Sequence, residues 1–151
     1  VPGKSHKRAA QFECAYRDGP VVLVSRDIAF TFPLSYAYLA GYLRAQGETV
    51  TVLFKDCDPA VLADKIMRLN PVVVGFGNLY PELKQTAELI GLLNRAGRRF
   101  PVVVGGQMVT PTPEFAVEIT GADLGVVGEG EIILHKLVQA LRNGTDPHTI
   151  G

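Results

Sequence analysis

Apolar residues arrive along this chain in two alternating rhythms. Val21-Val22-Leu23-Val24-Ser25, Thr49 to Phe54, Pro71 to Phe76, the run opened by Pro101 through Val102-Val103-Val104, and Leu124-Gly125-Val126-Val127 are short and rich in β-branched residues. Such near-continuous runs read as strands covered on both faces. Between them the apolar positions fall three and four apart. That spacing predicts a helix from Pro33 to about Gln46 closed by Gly47, and one after the N-cap candidate Asp58 reaching about Asn70. It predicts further helices from Glu82 to Ala96 closed by Gly97, and from the segment Thr110 to Pro113 as far as Thr120. A last helix carries Leu134, Leu137, Val138 and Leu141 on one stripe and ends at Asn143-Gly144. Residues 1–20 show no period and read as a lead-in, with a short strand or helix around Phe12–Tyr16.

Five βα units in succession imply an α/β fold with a parallel sheet and helices on both faces. Right-handed crossovers leave few topologies. The expectation is a flavodoxin-like (Rossmann-like) three-layer α/β/α sandwich, a five-stranded parallel sheet of order 2-1-3-4-5, with its switch point between strands one and three. Residues 21–144 form the domain, and 145–151 leave it.

In such a sheet ligands sit at the carboxyl ends of the strands. Four loops meet there: Asp27–Phe32, Gly77–Pro81, Gly105–Met108 and Gly128–Glu131. Gly105-Gly106 after strand four is either a ligand seat or a plain turn, since both uses recruit glycine. The first loop has one hydroxyl and no glycine, which disfavours a flavin mononucleotide phosphate. A phospho-acceptor aspartate is missing after strand three, where Gly77-Asn78 stands. Gly75-x-Gly77 and Gly128-x-Gly130 are in the wrong places for a dinucleotide fingerprint. What remains is an apolar, glycine-lined gap with few charges, suited to a large flat ligand with an apolar tail.

Charge and cysteine content narrow the classes further. The 151 residues hold 15 Lys+Arg and 15 Asp+Glu, a formal net charge of zero, which argues against sequence-independent nucleic-acid binding. Lys4, Lys7 and Arg8 lie near the terminus, while Arg95, Arg98 and Arg99 suit the negative pole of a helix. Cys14 and Cys57 have no metal-type spacing and imply free thiols in a reducing cytoplasm. No apolar run approaches the ~20 residues of a membrane span. The start lacks the apolar core of a secretory signal. A chain that opens on Val and closes on Gly reads as a piece of something longer.

Several stretches together resemble one family, the cobalamin-binding domain of cobalamin-dependent radical S-adenosylmethionine enzymes. Pro33-Leu34-Ser35-Tyr36-Ala37-Tyr38-Leu39-Ala40-Gly41-Tyr42-Leu43 looks like its first helix, and Gly47-Glu48-Thr49-Val50 like the turn that follows. Val104-Gly105-Gly106 with Thr110, and Gly128-Glu129-Gly130-Glu131 after Asp123-x-x-Val126-Val127, resemble the later signatures. The resemblance covers about residues 20 to 151 and implies a base-off cobalamin whose nucleotide tail is buried between the loops after strands one, three and four. The implied cofactor-binding residues are Ala29, Phe30, Gly77, Asn78, Leu79, Gly105, Gly106, Gln107, Met108, Gly128, Glu129 and Gly130.

Related mutases and methionine synthases carry D-x-H-x-x-G after strand one, whose histidine binds cobalt. The matching place is Asp27-Ile28-Ala29, with alanine for the histidine, which implies no protein imidazole on the metal. Their Ser-x-Leu motif corresponds to Gly77-Asn78-Leu79, keeping the leucine and losing the hydroxyl. Asp146-Pro147-His148-Thr149-Ile150-Gly151 resembles the linker to a radical S-adenosylmethionine domain of the same polypeptide. That domain would hold S-adenosylmethionine and a [4Fe-4S] cluster on a C-x-x-x-C-x-x-C motif, which this chain lacks. The implied parent is an oxidative cyclase of the magnesium-protoporphyrin monomethyl ester type or a methyltransferase.

His6 and His148 fall in the tails, and His135 flanks the last helix's buried stripe. Tyr38 and Tyr42 share a face of the first helix and Tyr36 another; the excess of aromatic surface points to cover by a second domain. Glu129 is either a contact to the corrin rim or an N-terminal helix acid, and Glu131 reads as the latter. A binding module without catalytic residues is therefore expected. The alternatives are a cofactor-free interaction domain of the same fold and an FMN-binding electron carrier.

Overall fold

The computed structural model describes residues 15–26, 33–77, 82–107 and 109–150. Strands β1 (Val21–Ser25), β2 (Val50–Phe54), β3 (Val73–Gly77), β4 (Val102–Gly105) and β5 (Leu124–Gly125) pair in parallel in the order β2-β1-β3-β4-β5. Helices α1 (Leu34–Ala45), α2 (Pro59–Leu69), α3 (Leu83–Arg95), α4 (Pro113–Thr120) and α5 (Gly130–Asn143) link or follow them, and a 3-10 turn (Pro147–Thr149) comes last. The flavodoxin-like sandwich with its switch point between β1 and β3 is the observed architecture.

Strand alternation divides the core in two. Val21, Leu23, Val73 and Val103 face α1 and α5, where they meet Leu43, Leu137 and Val138. Val22, Val24, Val74, Val102 and Val104 face the opposite layer and pack on Ile66, Leu89, Ile90 and Val117. Asp58 caps α2 as expected, its carboxylate accepting the Ala60 N–H at 2.8 Å.

The boundaries of strands three and five differ from the reading of the sequence. Strand three begins at Val73, because Pro71 has no N–H and Val72 spends its own on the Pro20 carbonyl. It also runs on through Gly77, which pairs with Gly105 of β4. Strand five ends at Gly125: Val126 still donates to Val104 O at 2.8 Å, but the chain then turns at Gly128.

Arg98 also departs from its expected place at a helix pole. Its side chain is buried and donates to Asp123 Oδ2 at 2.6 Å and to the Phe100 carbonyl at 2.7 Å. Asp123 Oδ2 also accepts the Val102 N–H at 2.8 Å, so one carboxylate ties the start of β4 to the approach to β5. Glu48 and Arg142 form a second tie, between the α1–β2 turn and the end of α5, at 2.5 Å.

Candidate functional site

The two helices on the Leu23 face do not close on the sheet at its carboxyl end. Gly75, Gly77 and Gly105 occupy inward positions there in place of side chains. The result is a cavity of about 300 Å³ between β1, β3 and β4 below and α1 and α5 above, open at the rim. Leu23 and Val103 form its floor with Gly75, while Leu39 of α1, Val126 and Leu134 of α5 close the sides. A Cβ at Gly75 would stand 3.0 Å from Leu23 Cδ2, and one at Gly77 3.0 Å from the Tyr36 hydroxyl. Bare backbone is thus a condition for both the cavity and its wall.

Tyr36 is the strut of that wall. Its hydroxyl accepts the Gly77 N–H at 2.5 Å and donates to Val24 O at 2.8 Å, with Gly77 O at 3.1 Å. It thereby joins α1 to the carboxyl ends of β1 and β3. Burial pushes the phenol well above its ordinary range, partly offset by the bond from Gly77, and Glu82 adds to the rise.

At the mouth, Gly106 has φ +97° and Gly128 +84°, a region that disfavours side chains. Thr110 Oγ1 donates to Gly106 O at 3.3 Å and accepts the Gly128 N–H at 3.3 Å, so one hydroxyl couples the β4 and β5 exit loops. Glu129 occupies the N-cap position of α5 without a capping bond and is exposed, while Glu131 is in its first turn. Both reach the mouth of the cavity.

Of the residues singled out in the sequence, Gly77, Gly105, Gly106, Gly128, Glu129 and Gly130 converge on this cavity. Gln107 is exposed beside it but does not line it. Ala29, Phe30, Asn78, Leu79 and Met108 lie outside the described residues. Sequence reasoning missed Tyr36, Leu39 and Gly75. The signal for Gly75 was present, because two glycines two apart on a strand vacate one face of it. Tyr36 is half-buried in the wall, whereas Tyr38 is 66% exposed, and the Tyr42 ring meets His135 edge-on at 6.2 Å.

On the other sheet face a second polar group went unread. Lys55, just after β2, donates to Thr86 Oγ1 at 2.9 Å and lies 3.7 Å from Glu82 Oε2. Burial lowers its pKa, against the pull of Glu82. Among the described residues no set of three metal-ligating side chains comes together, and no helix is long and apolar enough to cross a membrane.

Residues 7–138 match the B12 binding domain. This chain belongs to the B12-binding domain family. The domain is 31% identical over 124 residues to the anaerobic magnesium-protoporphyrin IX monomethyl ester cyclase of Rubrivivax gelatinosus, covering 78% of this chain and 22% of the cyclase. It is 30% identical over 117 residues to an uncharacterized methyltransferase of Pyrococcus horikoshii, covering 76% and 26%. Among solved structures it is similar to the radical S-adenosylmethionine methyltransferase TsrM of Kitasatospora setae with cobalamin and a [4Fe-4S] cluster bound. That likeness has a TM-score of 0.75 at 26% identity and covers 87% of this chain and 26% of TsrM. The B12-binding domain thus spans about a quarter of the length of these relatives.

The residues present fit a cobalamin tail. An apolar slot with a bare-backbone floor opens at the carboxyl rim, as a flat base on a flexible linker requires. The described rim carries no histidine, and the β1 exit loop contains none in its sequence.

Proposed function

We propose that this chain holds cobalamin base-off and histidine-off, with its nucleotide tail in the cavity between the sheet and α1 and α5. The cavity itself carries the reading: it is deep, apolar and closed below, and it opens where the fold places ligands. Gly75, Gly77 and Gly105 would give the tail room, Tyr36 and Leu39 hold the wall, and the Gly106 and Gly128 loops would border the corrin. When bound, cobalamin supplies the cobalt chemistry; the chain supplies position and exclusion of water. In the full protein the module serves a radical S-adenosylmethionine domain of the same polypeptide, with its own S-adenosylmethionine and [4Fe-4S] cluster, in a cytoplasmic oxidative cyclase or methyltransferase. The relatives named above support that assignment.

The test is to load the protein with hydroxocobalamin, desalt it, reduce it and record the electron paramagnetic resonance of cob(II)alamin. A retained base-off signal without nitrogen superhyperfine splitting is expected. Splitting from an axial imidazole overturns the histidine-off state. Loss of all cobalamin on desalting favours a cofactor-free interaction domain.

A further inference from the structure

We propose that this cavity selects among cobalamin-like corrinoids by the polarity of the lower base, accepting an apolar base such as dimethylbenzimidazole or a phenol and rejecting a purine. The inference rests on the tail-cavity reading and adds to it the chemical class of tail the residues accept.

Among the described residues the interior surface offers almost nothing to hydrogen-bond. Most of its side chains are apolar, Leu23, Leu39, Val103, Val126 and Leu134 around bare glycine backbone, and the Ser35 hydroxyl is exposed at the start of α1. The Tyr36 hydroxyl is already committed, accepting from Gly77 and donating to Val24. The carboxylates of Glu129 and Glu131 stand at the mouth, at the start of α5, where solvent reaches them. The β3 and β4 backbone that forms the floor is paired in the sheet ladder.

One buried polar atom without a partner lies on this face of the sheet, although not among the residues that line the cavity. Ser25 follows Leu23 by two residues on β1, so alternation turns it to the same side, toward the rim. Its side chain is fully buried, and its Oγ has no hydrogen-bond partner among the described residues. A dimethylbenzimidazole has one free ring nitrogen when the base is off the metal, so it needs at most one partner. An adenine base brings an exocyclic amine and three free ring nitrogens. Moving it from water into this slot would leave several of these groups without partners. Each unpaired group weakens binding by roughly five- to hundredfold, on the cost of burying an unsatisfied polar atom. A phenol base carries no ring nitrogen and asks even less.

Equilibrium titrations of the apo protein, followed by the visible corrin bands, should compare four probes: cobalamin, a cresolyl cobamide, adeninyl pseudocobalamin and tailless cobinamide. Cobalamin and the cresolyl form should bind within about tenfold of each other, and pseudocobalamin at least about tenfold more weakly. Val126→Thr adds a hydroxyl inside the cavity at nearly constant volume and should narrow the gap between cobalamin and pseudocobalamin. Equal binding of cobalamin and pseudocobalamin overturns the selectivity while leaving the tail in its cavity. Cobinamide binding as tightly as cobalamin shows that the tail does not enter, and overturns both. Failure of all four probes to bind rejects the cobalamin reading itself.

Discussion

Gly106 and Tyr36 show how single residues set the site. At φ +97° a valine in place of Gly106 is strained by ~1–3 kcal/mol, a part of the ~5–15 kcal/mol a domain has in hand. Gly106→Val should therefore stay folded by circular dichroism yet lose cobalamin retention, because the branched side chain sits at the cavity mouth. A folded variant that binds like the parent would reduce Gly105-Gly106 to a turn. Tyr36→Phe removes the hydroxyl that satisfies Gly77 N–H and Val24 O, a loss of ~1–3 kcal/mol at neutral pH. Its pH signature follows from the raised pKa. The folded state holds the phenolic proton more tightly than the unfolded chain, so the contribution is complete below about pH 10 and falls as pH rises beyond it. Denaturant melts from pH 8 to 11 should show the parent losing stability relative to Tyr36→Phe. A constant difference across that range would mean the phenol is not buried as described.

Between elements, the Arg98–Asp123 pair fixes β4 against β5. The Arg98 side chain is 2% exposed and that of Asp123 15%, and the same carboxylate receives the Val102 N–H. Asp123→Ala leaves the buried Arg98 guanidinium without its carboxylate and the Val102 N–H without that acceptor, and should cost ~3–5 kcal/mol, read as a lower urea midpoint. A loss under about 1 kcal/mol would place the pair among ordinary surface bridges. Replacing the pair with apolar residues should cost far less than breaking it, since its value lies in mutual satisfaction. Thr110 plays a lighter version of this role between the two exit loops. Its place in the resembling signature has a physical reason, since a hydroxyl is needed to accept from Gly128 while donating to Gly106.

For the whole molecule, the two helix layers are unequal in purpose. The layer of α2, α3 and α4 packs solidly on Val22, Val24, Val74 and Val104. The layer of α1 and α5 packs solidly only toward the amino ends of the strands, leaving the cavity at the carboxyl ends. If the module belongs to a radical S-adenosylmethionine enzyme, the complete gene should also encode C-x-x-x-C-x-x-C. A gene without that motif would leave a free-standing corrinoid carrier.

Composition and periodicity by themselves determined the sheet and its order, because five β-branched runs separated by amphipathic helices admit few right-handed solutions. They also placed Gly77, Gly105, Gly106 and the Gly128 to Gly130 segment at one rim, since parallel strands bring all their exits to the same edge. Local pattern sets Gly75 and Gly77 on one side of a strand but does not show what that side faces, which the register settles by placing Gly75 beside Leu23 and Val103. Nor does it distinguish Tyr36 from Tyr38 and Tyr42, because a helix apolar nearly all round has no obvious inward side. The carboxylate partner of Arg98 is equally hidden, lying 25 residues away across the sheet at Asp123. Those facts depend on contacts between segments far apart in sequence, so only the tertiary structure decided them.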